Sequence, residues 1–107
     1  MSSVTDIIQE ARDAAKLAEN KFLAEYGEPM YAGFAWSEVR VDRTNSKEAK
    51  ELLSAGFRLS HKPKTLTFSN PGGSYTQSMD VKEAGVDAFT KVMRAYGYKA
   101  SSCSRAD

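Results

Sequence analysis

The chain has 107 residues, 41% hydrophobic and 27% charged, which suits one domain with one modest core and excludes two. Its 15 basic and 14 acidic residues leave a net charge near +1, removing the overall attraction on which non-specific nucleic-acid binders depend. A lone Cys103 excludes an internal disulfide framework. No apolar run reaches bilayer length and the start lacks a signal-peptide pattern, so the expectation is a cytoplasmic protein with no membrane partner.

In chain order, the first element is a helix. Val4, Ile7, Ile8, Ala11, Ala14, Ala15, Ala18, Phe22 and Tyr26 fall on one helical stripe. Ser3 or Thr5 can cap it, Asp6 and Glu10 suit its positive end, and Gly27 with Pro29 stops it. Alternating β-branched and aromatic residues then predict a strand from about Gly33 to Asp42. Asn45 followed by Glu48 has capping-box spacing and opens a short helix that Gly56 ends. Phe57–His61 and Thr65–Ser69 alternate as two strands of a hairpin joined near Lys62-Pro63-Lys64. Asp80 with Glu83 repeats the capping spacing before a helix that runs to Gly97, and Tyr98–Cys103 makes a last strand. Gly85 lies on the apolar face of that helix, where it permits close packing on the sheet at a cost of roughly 1 kcal/mol in helix propensity.

This succession predicts one α+β domain over residues 1–107. An N-terminal helix is followed by a β-α-β-β-α-β ferredoxin-like antiparallel sheet with two helices on one face. On the first strand Val39 and Val41 share one face, and Phe34, Trp36, Glu38, Arg40 and Asp42 share the other. The matching positions of neighbouring strands include Arg58, Ser60, Thr65, Thr67 and Lys99. Aromatic rings beside cations on an open sheet are how RNA-recognition sheets stack bases. The apolar stripe of the first helix also needs a surface, and the preferred expectation is that Phe34 and Trp36 receive it, under Ile7, Ala11 and Phe22.

Catalytic chemistry is not legible. His61 and Cys103 are the only members of their types, too few for a zinc site of the usual kind, and Asp80 with Glu83 reads as helix capping. No GxGxxG is present, and Gly72-Gly73 lacks the Lys-Ser/Thr continuation of a phosphate loop. No catalytic residue, metal ligand or cofactor is therefore assigned. The stretch Asn70-Pro71-Gly72-Gly73-Ser74-Tyr75-Thr76-Gln77-Ser78 is a different matter. It leads a glycine turn into a helix N-terminus, an arrangement that presents backbone N–H groups to an anion.

Gly33-Phe34-Ala35-Trp36, Asn70-Pro71-Gly72-Gly73, Gln77-Ser78-Met79-Asp80-Val81-Lys82-Glu83-Ala84-Gly85 and Ser104-Arg105-Ala106-Asp107 together resemble a family of small uncharacterised proteins of tailed bacteriophages. The resemblance covers most of the chain. It implies a phage-type origin, an infected-cell cytoplasm and no known activity. Under it, the candidate ligand-binding positions are Trp36, Asn70, Gly72, Gly73, Tyr75, Gln77, Ser78, Lys82, Arg105 and Asp107. Arg105 suits a carboxylate or phosphate. The bland reading makes Ser104–Asp107 a frayed tail and leaves Gln77 and Ser78 to satisfy the loop backbone.

The leading functional expectation is a non-enzymatic phage-type accessory module that engages a host or phage protein, or pairs with its own copy as a homodimer. The alternative is a binder of a small anionic ligand or nucleotide at the glycine-rich turn and the following helix start. A third reading is single-stranded nucleic-acid binding on the open sheet.

Overall fold

The computed structural model describes residues 3–28, 32–73 and 78–106. The elements are α1 (Val4–Tyr26), β1 (Gly33–Arg40), α2 (Lys47–Ser54), β2 (Arg58–Leu59), β3 (Thr65–Ser69), α3 (Met79–Ala95) and β4 (Lys99–Ala106). They form an α+β structure in which an N-terminal helix precedes a four-stranded sheet. The strand order is β2-β3-β1-β4 and every pairing is antiparallel.

Helices and strands succeed one another as the hydrophobic periods predict, but several ends and caps differ. Ser3 caps α1 by accepting from Asp6 N at 3.2 Å. At α2 the cap is Ser46, not Asn45, and it accepts from Ala49 N at 3.2 Å. At α3 the cap is Ser78, not Asp80, accepting from Val81 N at 3.4 Å. In each case a serine hydroxyl satisfies the orphan N–H three residues on and leaves the first-turn carboxylate, Asp6, Glu48 or Asp80, to favour the helix dipole. β2 keeps only two residues of the expected five. β4 starts and ends later than expected, so Ser104-Arg105-Ala106 is sheet, paired with Gly33-Phe34-Ala35, and not a frayed tail.

One expectation is overturned. The first helix does not cover Phe34 and Trp36. α1 packs along α3, and Ile7, Ile8, Ala11 and Ala15 join Val39, Leu66, Phe89, Met93 and Ala100 in one core on the valine face. α2 contributes Ala49 and Leu52 to the same core. Phe57, Phe68 and Phe89 stack around it, with ring centroids 5.0 to 6.1 Å apart. A hydroxyl chain completes this covered face: Ser37 and Thr90 lie 2.9 Å apart, and Ser102 donates to Thr90 at 3.0 Å. The helices thus share one side of the sheet, because α1 buries its alanines against α3 instead of against the aromatics of β1.

Candidate functional site

β1 alternates strictly. Ala35, Ser37 and Val39 are buried beneath the helices, while Phe34, Trp36, Glu38 and Arg40 occupy the uncovered side. Register carries that side across the sheet, since residues directly opposed on antiparallel strands share a face. Phe34 is opposed by Arg105, Trp36 by Ser69 and Cys103, Glu38 by Thr67 and Ser101, and Arg40 by Thr65 and Lys99. Arg58 extends the row from Thr67. Four cations therefore lie on the strands, Arg40, Arg58, Lys99 and Arg105, all exposed, against a single strand carboxylate, Glu38. The near-neutral net charge hides this segregation. Arg40 and Lys99 are direct cross-strand partners, a like-charge pairing that costs sheet stability.

The one carboxylate is already engaged. Glu38 accepts from the Trp36 indole N–H at 3.0 Å and from Lys62 Nζ at 3.2 Å, with the Cys103 thiol, on the residue opposite Trp36, also favouring its charged form. Partial burial alone would raise its pKa. The bonds from Trp36 and Lys62, the Lys62 charge and the thiol together outweigh that and hold it below the usual carboxylate range. The same neighbourhood, first its burial and then the Glu38 charge and bond, pushes the Cys103 thiol up. Cys103 is thus a protonated donor at neutral pH and not an activated nucleophile. The network fixes the Trp36 ring beside a pocket of about 270 Å³ whose rim includes Leu59, His61, Lys62 and Thr67.

Phe34 stands at the rim of the sheet and is 47% exposed. Lys82 Nζ lies 5.4 Å and Arg105 Cζ 5.9 Å from its ring centroid, both within cation–π range. Lys82 reaches it from the first turn of α3 by donating to Gly33 O at 3.1 Å. Gly33 makes that approach possible: a Cβ there would sit 2.6 Å from Met79 Sδ and 2.8 Å from Arg105 O.

The glycine turn belongs to the other side of the molecule. Asn70 takes up a left-handed φ of 46° and donates its N–H to Ala35 O at 3.3 Å, after which the chain turns toward α1. There Arg12 Nε donates to Pro71 O at 3.5 Å. Glu19, only 2% exposed, inserts its carboxylate against both Gly72 and Gly85, and a Cβ on either glycine would collide with it. The sequence reading of Gly85 is corrected accordingly. It makes room for Glu19 of α1, not for the sheet. The Glu19 carboxylate fills the inner side of Gly72, while a cavity of about 310 Å³ lined by Gln9, Arg12, Asp13, Lys16 and the turn lies open on its outer side.

The sequence-predicted positions therefore divide. Trp36, Lys82 and Arg105 share the open face and its rim. Asn70, Gly72 and Gly73 lie at the turn, and buried Ser78 caps α3 and bridges to Ala32. Tyr75, Gln77 and Asp107 lie outside the described residues. Phe34, Arg40, Arg58, Lys62 and Lys99 are missing from that set although their strand alternation marked most of them. Glu19 is missing too, yet it lies four residues after Ala15 on the helical stripe, where a carboxylate among alanines was the available signal.

Among the described residues no three His, Cys, Asp or Glu side chains gather as a metal site would require, and no helix is long and apolar enough to cross a membrane. No protein-family model matches the chain, and neither the curated proteins nor the solved structures contain a similar one.

Proposed function

We propose that this protein is a non-enzymatic binding module that takes single-stranded nucleic acid on the open face of its sheet. The observation that carries the reading is a sheet face that none of the described helices covers, furnished with Phe34, Trp36 and four exposed strand cations, its only strand carboxylate already bonded. Bases stack on such rings with little regard to sequence, and phosphates answer the cations. The Arg40–Lys99 juxtaposition is unfavourable in the free protein and is relieved by a bound polyanion.

Titrating a labelled oligothymidylate tests this directly. Binding should weaken steeply as salt rises from about 50 to about 200 mM. It should also quench the fluorescence of Trp36, the only tryptophan. An oligonucleotide that fails to bind at low salt, or binds Trp36→Ala as well as wild type, would overturn the reading.

A second reading, self-association, is favoured by a different observation. β4 presents eight residues along an edge beyond which no strand lies among the described residues, a ready template for another chain. Light scattering across protein concentrations tests it, and a mass fixed at the monomer value counts against it. We further propose that β1 to β4 with α2 and α3 form a ferredoxin-like unit with a shortened first crossover. The antiparallel order β2-β3-β1-β4 supports that description. The phage-type accessory role is a proposal resting on the quoted motifs alone.

A further inference from the structure

We infer that Lys82 and Arg105 jointly hold one phosphate of the bound strand while the adjacent base stacks on Phe34. The inference rests on the nucleic-acid reading of the sheet face and adds to it a defined subsite at the rim.

Three features of the rim converge on this chemistry. First, two cations from different elements, the helix layer and the edge strand, meet over one half-exposed ring. Second, neither has a carboxylate partner among the described residues. Among the described residues the one ion pair is Lys62 with Glu38, and Glu83, next to Lys82 in sequence, accepts from Ser104. Lys82 spends one of its three donors on Gly33 O, and Arg105 has a planar fork of donors free for an oxyanion. Third, the pair is assembled by the backbone. Gly33 lets the start of α3 close onto β1 and β4, and that closure places Nζ of Lys82 beside the ring. A ring to stack on and two cations within 6 Å of it match one nucleotide: base on the aromatic face, phosphate between the cations.

The test measures affinity and salt dependence for one single-stranded oligothymidylate with wild type, Lys82→Ala, Arg105→Ala, the double variant, Lys82→Arg, Phe34→Leu and Trp36→Ala. Each alanine change should weaken binding about tenfold and lower the salt slope by about one. The double variant should lose little more than either single, because both cations serve the same phosphate. Lys82→Arg should retain most of the affinity, which separates loss of charge from loss of folding. Oligonucleotides bearing a 5′-phosphate, a 3′-phosphate or neither assign the phosphate. Variant effects that depend on one end make it terminal, equal effects make it internal, and either pattern supports the subsite. Losses that multiply in the double variant overturn the shared phosphate. If Lys82→Ala and Arg105→Ala bind within twofold of wild type while Trp36→Ala does not, the subsite falls and the sheet-face reading stands. If wild type binds nothing, that reading falls as well.

Discussion

The two faces of β1 are built from one eight-residue strand, and they have opposite jobs. Ala35, Ser37 and Val39 are small or branched, buried, and packed under helices; on the other side Phe34 and Arg40 are exposed and Trp36 and Glu38 part-buried. A fold concerned only with stability would place the rings inside, since each buries far more area than an alanine or serine. Putting the small residues under the helices lets α3 lie close on β1 and β4, and it leaves the rings on the side that no described helix covers. The contrast is sharpest when tested by truncation. Leu66→Ala, at a fully buried position opposite Val39, should lower stability by about 2–5 kcal/mol in denaturant unfolding. Phe34→Ala on the bare side should cost less than about 1 kcal/mol. A large loss at Phe34 would mean that its ring serves the fold and not a ligand.

The same contrast extends to the two inward glycines beside Glu19. In an ordinary helix Gly85→Ala would gain roughly 1 kcal/mol of propensity. Here the added methyl meets the Glu19 carboxylate, so the change should instead cost about 1–3 kcal/mol. Combining it with Glu19→Ala should recover part of that loss, because the smaller side chain clears the space. Independent, additive losses in thermal melts would show that Glu19 and Gly85 do not share one site.

On the bare side the next effect is on binding. Trp36→Ala should weaken single-stranded nucleic acid by about tenfold or more, in line with about 1–3 kcal/mol for a stacked base, while shifting the melting temperature little. Equal affinity of the variant would return weight to the β4 edge and to protein partners.

How much of this could be read from residues alone follows from the range of each interaction. Alternation over Gly33–Arg40 and the 3.6-residue stripes are local, and they gave the elements and the membership of each face. Which face the first helix would cover depends on a pairing between α1 and α3 that no local period encodes. Alanines at 11 and 15 and the glycine at 85 were legible as close-packing residues, but either the sheet or another helix could have been their partner. Glu19 decided it: a carboxylate on an alanine stripe needs neighbours without side chains, and Gly72 and Gly85 supply them. The cation cluster escaped the net-charge argument for a similar reason. Charge is a sum over the chain, whereas register between distant strands set Arg40 beside Lys99 and Arg105 beside Phe34.

The smallest effect separates Glu38 from the cations around it. Its side chain is only 12% exposed, and its folded-state pKa lies below the unfolded value because three donors favour the charged form. A carboxylate depressed in this way stabilises the fold at pH values above its unfolded pKa, near 4.3, and that contribution disappears as pH falls through the lower folded pKa. The contribution should therefore be complete at neutral pH and lost in the acid range below about 4. Melts of wild type and Glu38→Gln should differ by less than about 1 kcal/mol at pH 7, as expected of an ion pair whose lysine is half exposed, and converge as the pH drops. Emission from Trp36 gives an independent readout, because the Glu38 bond is what holds its indole N–H. A shift in emission over the same acid range in wild type, absent from Glu38→Gln, ties the titration to the ring. An emission that ignores both pH and the substitution would mean that Trp36 is held by packing alone, and the carboxylate would then lose its part in presenting the ring.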